Sequence, residues 1–176
     1  MLSAPLPRPE FTLTDTVGAP YAFADRTSGS LTLLFFGYTS CPDVCPNHLS
    51  QLAEARRLLA DEDPSLADAV KVVFVTVDPP RDTPAHVERW LAHFDSSFVG
   101  LVGDEASLRA AQEAAFVPTA ERDVDGADAD YTVSHAAYVL AYTPDDQAHL
   151  RYGISTRAED WVHDLRILAR DGWPGP

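Results

Sequence analysis

The sequence predicts an α/β fold in which a central mixed sheet is flanked by helices. Two stretches carry this prediction: residues 31–37 and 70–77 are almost entirely apolar, as expected for strands buried on both faces. Each stretch precedes a segment in which apolar residues recur with helical spacing. Strands that alternate with helices are typical of a sheet that has helices on both faces.

The length of 176 residues indicates one domain, large enough to bury about two-thirds of its unfolded surface. We find no internal repeat and no second apolar core, so residues 11–170 are assigned to a single domain. Residues 1–10 are rich in proline and lack helical periodicity. They are predicted to be an extended linker, compatible with the remnant of a removed anchor, and residues 171–176 are predicted to be a tail.

The first half of the domain begins with a predicted hairpin. Residues 11–14 alternate in the manner of a strand, and residues 21–23 return after a turn at Gly18. The buried strand at 31–37 then leads to residues 47–60, whose apolar positions lie on one helical face. Pro64 is expected to end that region.

The second buried strand is followed by two helices with recognisable starts. Thr83 can cap a helix that has Pro84 at its first position, and Asp104 can cap another. A short strand at residues 98–102 separates them. Residues 120–130 hold many acids and a glycine, so they are predicted to be a solvated loop or flap.

The chain closes with a predicted hairpin and helix. Residues 131–133 and 137–142 are predicted strands, and residues 148–152 return beside them. Thr156 and Glu159 have the spacing of a capping box that opens the last helix. These closing strands add antiparallel neighbours to the parallel centre, which makes the predicted sheet mixed.

The charge balance excludes some classes of partner. The chain has 13 basic and 27 acidic residues, for a formal net charge of −14 at pH 7. Such a surface repels phosphate backbones and anionic lipids, which argues against nucleic-acid binding. It favours a basic partner or serves solubility alone. No run approaches the ~18 apolar residues of a membrane span, so membrane contact is expected only through an upstream anchor.

Cys41 and Cys45 are the only two cysteines, and they follow the first buried strand. Residues four apart at a helix start lie ~5–6 Å from each other, within reach of a disulfide. Pro46 disfavours helical dihedrals at Cys45, so the helix is expected to begin at about Pro46. A helix N-terminus lowers thiol pKa values, and Asp43 opposes that effect. The pair is expected either to bind Cu(I) or to act as a redox pair.

A trigonal copper site that also accepts Cu(II) needs a third ligand, for which imidazole is the usual choice. Among the six histidines, His135 lies at a predicted strand junction and can fold back over the thiol loop. His48 follows Cys45 by three positions and can also face the loop. His86, His93 and His163 lie on predicted helices away from the loop and are expected at the surface, and His149 begins an outer strand and is not expected to be a ligand.

Other metal and cofactor classes fit the sequence less well. Structural zinc normally needs four ligands, and a blue-copper site needs an axial methionine, for which Met1 is the only candidate. The chain has no Cys-x-x-Cys-His haem motif and no Gly-rich phosphate loop before a helix.

Three motifs carry a family resemblance. They are residues 36–46 (FGYTSCPDVCP), residues 76–84 (TVDPPRDTP) and residues 131–135 (YTVSH). In sequence, order and spacing the chain resembles the Sco/SenC family, copper-binding assembly factors for the CuA centre of cytochrome c oxidase. The resemblance extends over residues 11–170 and implies a thioredoxin-like fold, with the N-terminal hairpin and a β-hairpin insertion.

By this resemblance the copper ligands are Cys41, Cys45 and His135, and the metal is Cu(I), Cu(II) or both. The implied partner is the oxidase subunit that carries CuA, with another copper chaperone or a thiol reductant upstream. The implied location is extracytoplasmic, in the bacterial periplasm or at the outer face of the inner membrane, with an N-terminal membrane anchor.

Asp78, Arg81 and Asp82 match a family motif near the site. The resemblance implies an orienting or partner-docking role for them, and a capped turn is the competing interpretation. The sequence departs from the family at residues 134–137, which are neutral beside the histidine, and at the long acidic segment 120–130. These departures concern the partner surface rather than the metal ligands.

Two functions remain open at this point. A metallochaperone would hold copper between the reduced cysteines and His135 and pass it on. A thiol–disulfide oxidoreductase would use the cysteine pair to reduce the CuA-site cysteines. A peroxidase fits less well, because no histidine is placed by the sequence as a general base. The remaining alternative is a thioredoxin-like domain whose disulfide has no redox or metal-binding function.

Overall fold

The computed structural model describes residues 1–123 and 131–175. Its main sheet has eight strands in the order β1-β10-β9-β4-β5-β6-β2-β3, and a separate small sheet pairs β7 with β8. The strands are β1 (Leu6–Pro7), β2 (Thr12–Asp15), β3 (Pro20–Ala22), β4 (Leu31–Gly37), β5 (Val70–Thr76), β6 (Val99–Val102), β7 (Glu121–Asp123), β8 (Thr132–Ser134), β9 (Tyr138–Tyr142) and β10 (Gln147–Gly153).

The helices follow the predicted alternation. They are α1 (Phe23–Thr27), α2 (Val44–Glu62), α3 (Pro64–Ala69), α4 (Pro84–Ala92), α5 (Glu105–Ala114) and α6 (Ala158–Asp171). Two predicted N-caps are confirmed, since the Thr83 side chain accepts from the His86 N–H and Asp104 accepts from the Ser107 N–H. None of the described helices is long and apolar enough to cross a lipid bilayer.

The centre of the sheet is mixed, as predicted. β4 runs parallel to β5, β5 runs parallel to β6, and β9 is antiparallel to β4. Every residue of β4 is buried, which explains why that stretch of sequence is apolar without alternation. The carboxyl ends of β4 and β5 meet at one edge, where the Val77 N–H donates to the Gly37 carbonyl at 2.8 Å. That edge carries the cysteine loop.

Gly37, the last residue of β4, allows α2 to approach the sheet closely. A Cβ atom at this position would lie 2.7 Å from the Cys45 sulfur and 3.0 Å from the Phe74 ring. Real Cβ atoms do not approach other heavy atoms so closely. The absent side chain therefore makes room for a thiol directly against the strand.

The first ten residues differ from the predicted linker. They are extended, but Leu6–Pro7 pair with β10 at the sheet edge. Arg8 is only 8% exposed and forms an ion pair with Asp146 at 2.7 Å, and it also donates to Thr27. This buried cation on a proline-rich segment ties the start of the chain to the domain.

Other boundaries also differ from the predictions. α2 begins at Val44, two residues before Pro46, and a further helix opens at Pro64, where the helical region was expected to end. The last helix is capped by Asp160, whose carboxylate accepts from the Arg157 N–H at 3.0 Å, one residue beyond the predicted box at Thr156 and Glu159.

Two regions predicted to be a loop and a tail contain regular secondary structure. The acidic segment predicted at 120–130 begins with β7, and its remaining residues 124–130 lie outside the described part of the chain. The predicted tail begins inside α6, which continues to Asp171. The Trp173 ring then stacks on His149 with ring centroids 5.1 Å apart.

Candidate metal centre

The two thiols are placed by the junction between β4 and α2. The Cys41 N–H closes a turn onto the Tyr38 carbonyl at 3.2 Å. Cys45 lies in the first turn of α2, and its own N–H points at the Cys41 sulfur, 3.5 Å away. Cys41 is 8% exposed and Cys45 is fully buried, and both cysteines are free. The pair therefore faces inward at the carboxyl edge of the sheet.

His135 reaches this pair from the segment between β8 and β9. Its Nε2 lies 3.9 Å from the Cys41 sulfur and 3.6 Å from the Cys45 sulfur. All three ligand atoms lie within 4.8 Å of one another, so they could hold one metal ion. The fold thus joins residues that are 94 and 90 positions apart in sequence.

The orientation of the imidazole is set by contacts to the ring nitrogen that faces away from the sulfurs. The Nδ1 atom of His135 lies 3.0 Å from the Phe36 carbonyl oxygen and 3.1 Å from that of Ala136. A carbonyl only accepts, so Nδ1 carries the hydrogen and Nε2 presents its lone pair to the sulfurs. The Tyr38 ring packs edge-on against the imidazole at 5.5 Å. The ring is therefore prepared as a ligand through Nε2.

The electrostatics of the two thiols differ. Hydrogen bonding with the Cys45 thiol lowers the pKa of Cys41 to about 4, against the effect of burial, with further help from the Cys45 backbone N–H. Burial, followed by the neighbouring Cys41, raises the pKa of the Cys45 thiol. Cys41 is therefore the thiol of the pair that ionises more readily.

Comparison with known proteins identifies the family. The SCO1/SenC family model matches residues 3–170. The chain belongs to the SCO1/SenC family. A protein of Stutzerimonas stutzeri described as a copper-binding protein is 33% identical over 148 residues, covering 81% of this chain and 68% of its own. The mitochondrial SCO2 homolog of Mus musculus is 35% identical over 160 residues, covering 89% of this chain and 60% of its own.

Solved Sco structures have the same fold. Bradyrhizobium japonicum ScoI with copper bound has a TM-score of 0.78 at 35% identity, and the match covers 92% of this chain and 98% of that one. Apo Sco1 from Thermus thermophilus has a TM-score of 0.81 at 33% identity, with coverage of 95% and 94%. The thioredoxin-like fold predicted for the sequence is thereby confirmed.

In this Sco protein the second histidine near the thiols does not join the ligand group. His48 is 1% exposed, its ring packs 5.1 Å from Phe35, and its Nε2 lies 3.4 Å from the Ala137 carbonyl. Burial lowers its pKa, which favours the neutral form that can donate to this carbonyl. His48 therefore supports the segment just after His135, a role that its spacing from Cys45 did not reveal.

Three of the four remaining histidines have local partners. His149 contacts Asp145 at 2.8 Å, and His163 contacts Asp164 at 2.8 Å. His93 has its Nδ1 2.6 Å from the carbonyl of Arg89. Within the described ranges, the group of ligand atoms that could hold a metal contains none of them.

Asp82 ties the cysteine loop of this Sco chain to the sheet. It is 2% exposed, and its carboxylate accepts from the Thr39 N–H at 3.1 Å, from the Thr39 hydroxyl at 2.5 Å and from the Thr76 hydroxyl at 2.6 Å. Thr39 belongs to the loop and Thr76 ends β5. These contacts point to a structural, orienting role for Asp82 rather than to a surface for docking.

Asp78 and Arg81, in the same turn as Asp82, contact the hairpin that carries His135. Asp78 is fully buried, pairs with the Arg81 guanidinium and accepts from the Tyr131 hydroxyl at 2.5 Å. None of the three residues 78, 81 and 82 is a ligand in this geometry. The sequence did not single out Tyr131 as a site residue, although Tyr131 lies only four residues before His135.

Proposed function

We propose that this protein is a copper metallochaperone that binds one copper ion through the sulfurs of Cys41 and Cys45 and the Nε2 of His135. The observation that supports this proposal most directly is that these three atoms lie within 4.8 Å of one another. Copper is the cargo of this protein rather than a resident cofactor. The solved Bradyrhizobium japonicum ScoI with copper bound, 35% identical to this chain, supports the choice of metal.

The donor set suits both oxidation states of copper. Soft thiolates prefer Cu(I), and an imidazole nitrogen makes the site acceptable to Cu(II). Two thiolates and a neutral imidazole also balance the charge of Cu(II), which matters where the site is shielded from water. The hydrogen bonds from His135 Nδ1 to backbone carbonyls hold the ring in the tautomer that a metal requires.

The recipient is inferred to be the cytochrome c oxidase subunit that houses CuA. A solved BsSco structure, 16% identical and evidence for the fold alone, is described as belonging to the Sco family of cytochrome c oxidase assembly proteins. The mitochondrial relatives are consistent with a location outside the cytoplasm, where a membrane anchor would hold the domain. The matches cover 68% and 60% of the length of the two curated relatives compared above.

The metal assignment is tested by competition with a Cu(I) chelator. Replacing either cysteine with serine is expected to abolish tight Cu(I) binding, because a single thiolate remains. His135→Ala is expected to weaken Cu(II) binding more than Cu(I) binding. A Cys41→Ser/Cys45→Ser double variant that holds copper as tightly as the unmodified protein would overturn the assignment.

A thiol–disulfide oxidoreductase is the second candidate, and the unequal thiols favour it. Cys41, with its lowered pKa, can attack a partner disulfide, displacing one partner thiolate and forming a mixed disulfide. Cys45 then attacks the Cys41 sulfur and releases the second partner thiol. The partner gains two electrons and two protons, and the Cys41–Cys45 disulfide forms.

The metal-free protein tests this second candidate. Reduction of an oxidised CuA-site peptide should be stoichiometric with the protein, and Cys45→Ser should trap the mixed disulfide. If the peptide stays oxidised while the protein binds copper tightly, the chaperone role stands alone.

A further inference from the structure

Tyr131 is held by three separate contacts. Its hydroxyl donates to Asp78 at 2.5 Å, and Asp78 is fully buried. Its ring lies under the Arg81 guanidinium, 3.8 Å from carbon to ring centroid. Its carbonyl accepts from Arg81 Nη1 at 3.0 Å. Asp78 and Arg81 are themselves an ion pair, so the tyrosine is fixed to the loop after β5.

The strand that starts beside Tyr131 needs such support. Among the residues that the structure describes, β8 pairs with β7 alone, in a two-stranded sheet separate from the main one. Two-stranded hairpins are marginally stable unless they pack on something else. His135 follows β8 directly. The position of its imidazole therefore depends on what holds this strand.

The same group of residues reaches the imidazole by a second route. Arg81 lies 5.5 Å from the centroid of the Tyr38 ring, whose edge contacts His135. The Tyr38 hydroxyl accepts from the Val133 N–H at 3.4 Å, in the middle of β8. The thiols, by contrast, are held by the β4–α2 junction and by Asp82, whose carboxylate bonds Thr39 and Thr76.

We infer that Tyr131 is a positioning residue for His135, and that its bond to Asp78 sets how well the site accepts Cu(II) relative to Cu(I). This inference rests on the proposed copper function. Cu(I) is held by the two sulfurs, which the β4–α2 junction and Asp82 place, whereas Cu(II) needs the imidazole. Loosening β8 therefore moves one ligand and leaves the other two in place.

Tyr131→Phe isolates the effect, because it removes the hydroxyl and keeps the ring under Arg81. Tyr152→Phe is the matched control: its hydroxyl donates to Asp164 at 2.8 Å, between β10 and α6. We expect Tyr131→Phe to weaken Cu(II) binding about 10-fold, as supporting residues around metal ligands do, with Cu(I) binding unchanged. The electron paramagnetic resonance spectrum of bound Cu(II) should change in Tyr131→Phe and stay as in the unmodified protein in Tyr152→Phe. Equal losses for both oxidation states, or no loss for either, would overturn the inference.

A metal-free measurement separates this inference from the proposed function. Imidazole ¹⁵N spectra of the reduced protein should show His135 in the single neutral tautomer with hydrogen on Nδ1, and Tyr131→Phe should mix the two tautomers. If the unmodified protein binds no copper, the proposed function fails while this readout still reports on positioning. An unchanged His135 spectrum in Tyr131→Phe refutes the inference even if copper binds. Arg81→Lys, which keeps the charge and loses the planar group, should shift the spectrum in the same direction and serves if Tyr131→Phe does not fold.

Discussion

The two sides of the site are built in different ways. The sulfur side belongs to the core: β4 is entirely buried, Cys45 sits against its glycine, and Asp82 fastens the loop to β5. The imidazole side belongs to a two-stranded sheet and the segment after it, which contact the rest of the domain through Tyr131, Tyr38, the buried Val133 and the bond from His135 Nδ1 to the Phe36 carbonyl. The contrast teaches that one site can combine ligands fixed by packing with a ligand fixed by a few polar contacts. Substitutions should therefore separate the two sides.

The largest effect is expected from removing the carboxylate that fastens the sulfur side. Asp82→Ala leaves three buried donors without their acceptor, which should lower the free energy of unfolding by about 3 kcal/mol or more. Cu(I) binding should weaken with it because the cysteine loop loses its tie. Urea unfolding and chelator competition measure both effects. Asp82→Asn keeps an acceptor and should fall between the two proteins; a fully stable Asp82→Ala protein contradicts the role given to Asp82.

A somewhat smaller effect is expected from crowding the strand beside Cys45. Gly37→Ala places a Cβ 2.7 Å from that sulfur, so it should lower the free energy of unfolding by about 1–3 kcal/mol and displace the thiol from its position against the strand. Cu(I) affinity should fall, as measured by the same competition. Gly153→Ala is the control, since a Cβ there meets nothing within 4 Å. Equal behaviour of the two variants would mean that the close approach has no consequence.

A moderate effect is expected at the residue that joins the two sides. Tyr38→Phe removes the hydroxyl that accepts from the Val133 N–H and keeps the ring against His135, so the cost should be about 1 kcal/mol. Cu(II) binding should weaken more than Cu(I) binding, because only the imidazole side is loosened. Calorimetric titration with Cu(II) and chelator competition for Cu(I) give the ratio. A drop in Cu(I) affinity alone would place Tyr38 with the sulfur side.

The smallest effect is expected at His48. Its contact to the Ala137 carbonyl is long, 3.4 Å, so His48→Leu should change the free energy of unfolding by only about 0.5 kcal/mol while filling the same space beside Phe35. Copper binding in either oxidation state should remain close to that of the unmodified protein. His163→Leu, on the exposed face of α6, is the control for losing a histidine. A loss of metal in His48→Leu alone would make His48 part of the site.

The sequence predicted what depends on local signals. The apolar run of β4, the thiols after it and the caps at Thr83 and Asp104 all follow from residues close together in the chain. His135 was a candidate from its strand junction, and the family resemblance made it the choice. Its distance to the sulfurs is a property of the fold that no local pattern contains.

What the sequence did not predict depends on contacts between distant residues. Leu6–Pro7 form a strand only because β10 offers an edge about 140 positions later, and a proline-rich segment alone gives no sign of that partner. Asp78 and Asp82 lie in a segment whose sequence is typical of a polar turn, and only the packed structure shows that both side chains are buried. The short helices α1 and α3 are too brief to show a periodic pattern.

The carbonyl of Phe36 accepts from the imidazole, and this residue belongs to the same strand that leads to the cysteines. One strand therefore delivers the sulfurs and also selects which ring nitrogen stays bare. In the neutral ring with its hydrogen on Nδ1, the nitrogen that faces the sulfurs carries none, so a cation that binds there displaces protons from the thiols. Proton counting during copper uptake would read the chemistry of the thiols without interference from the third ligand.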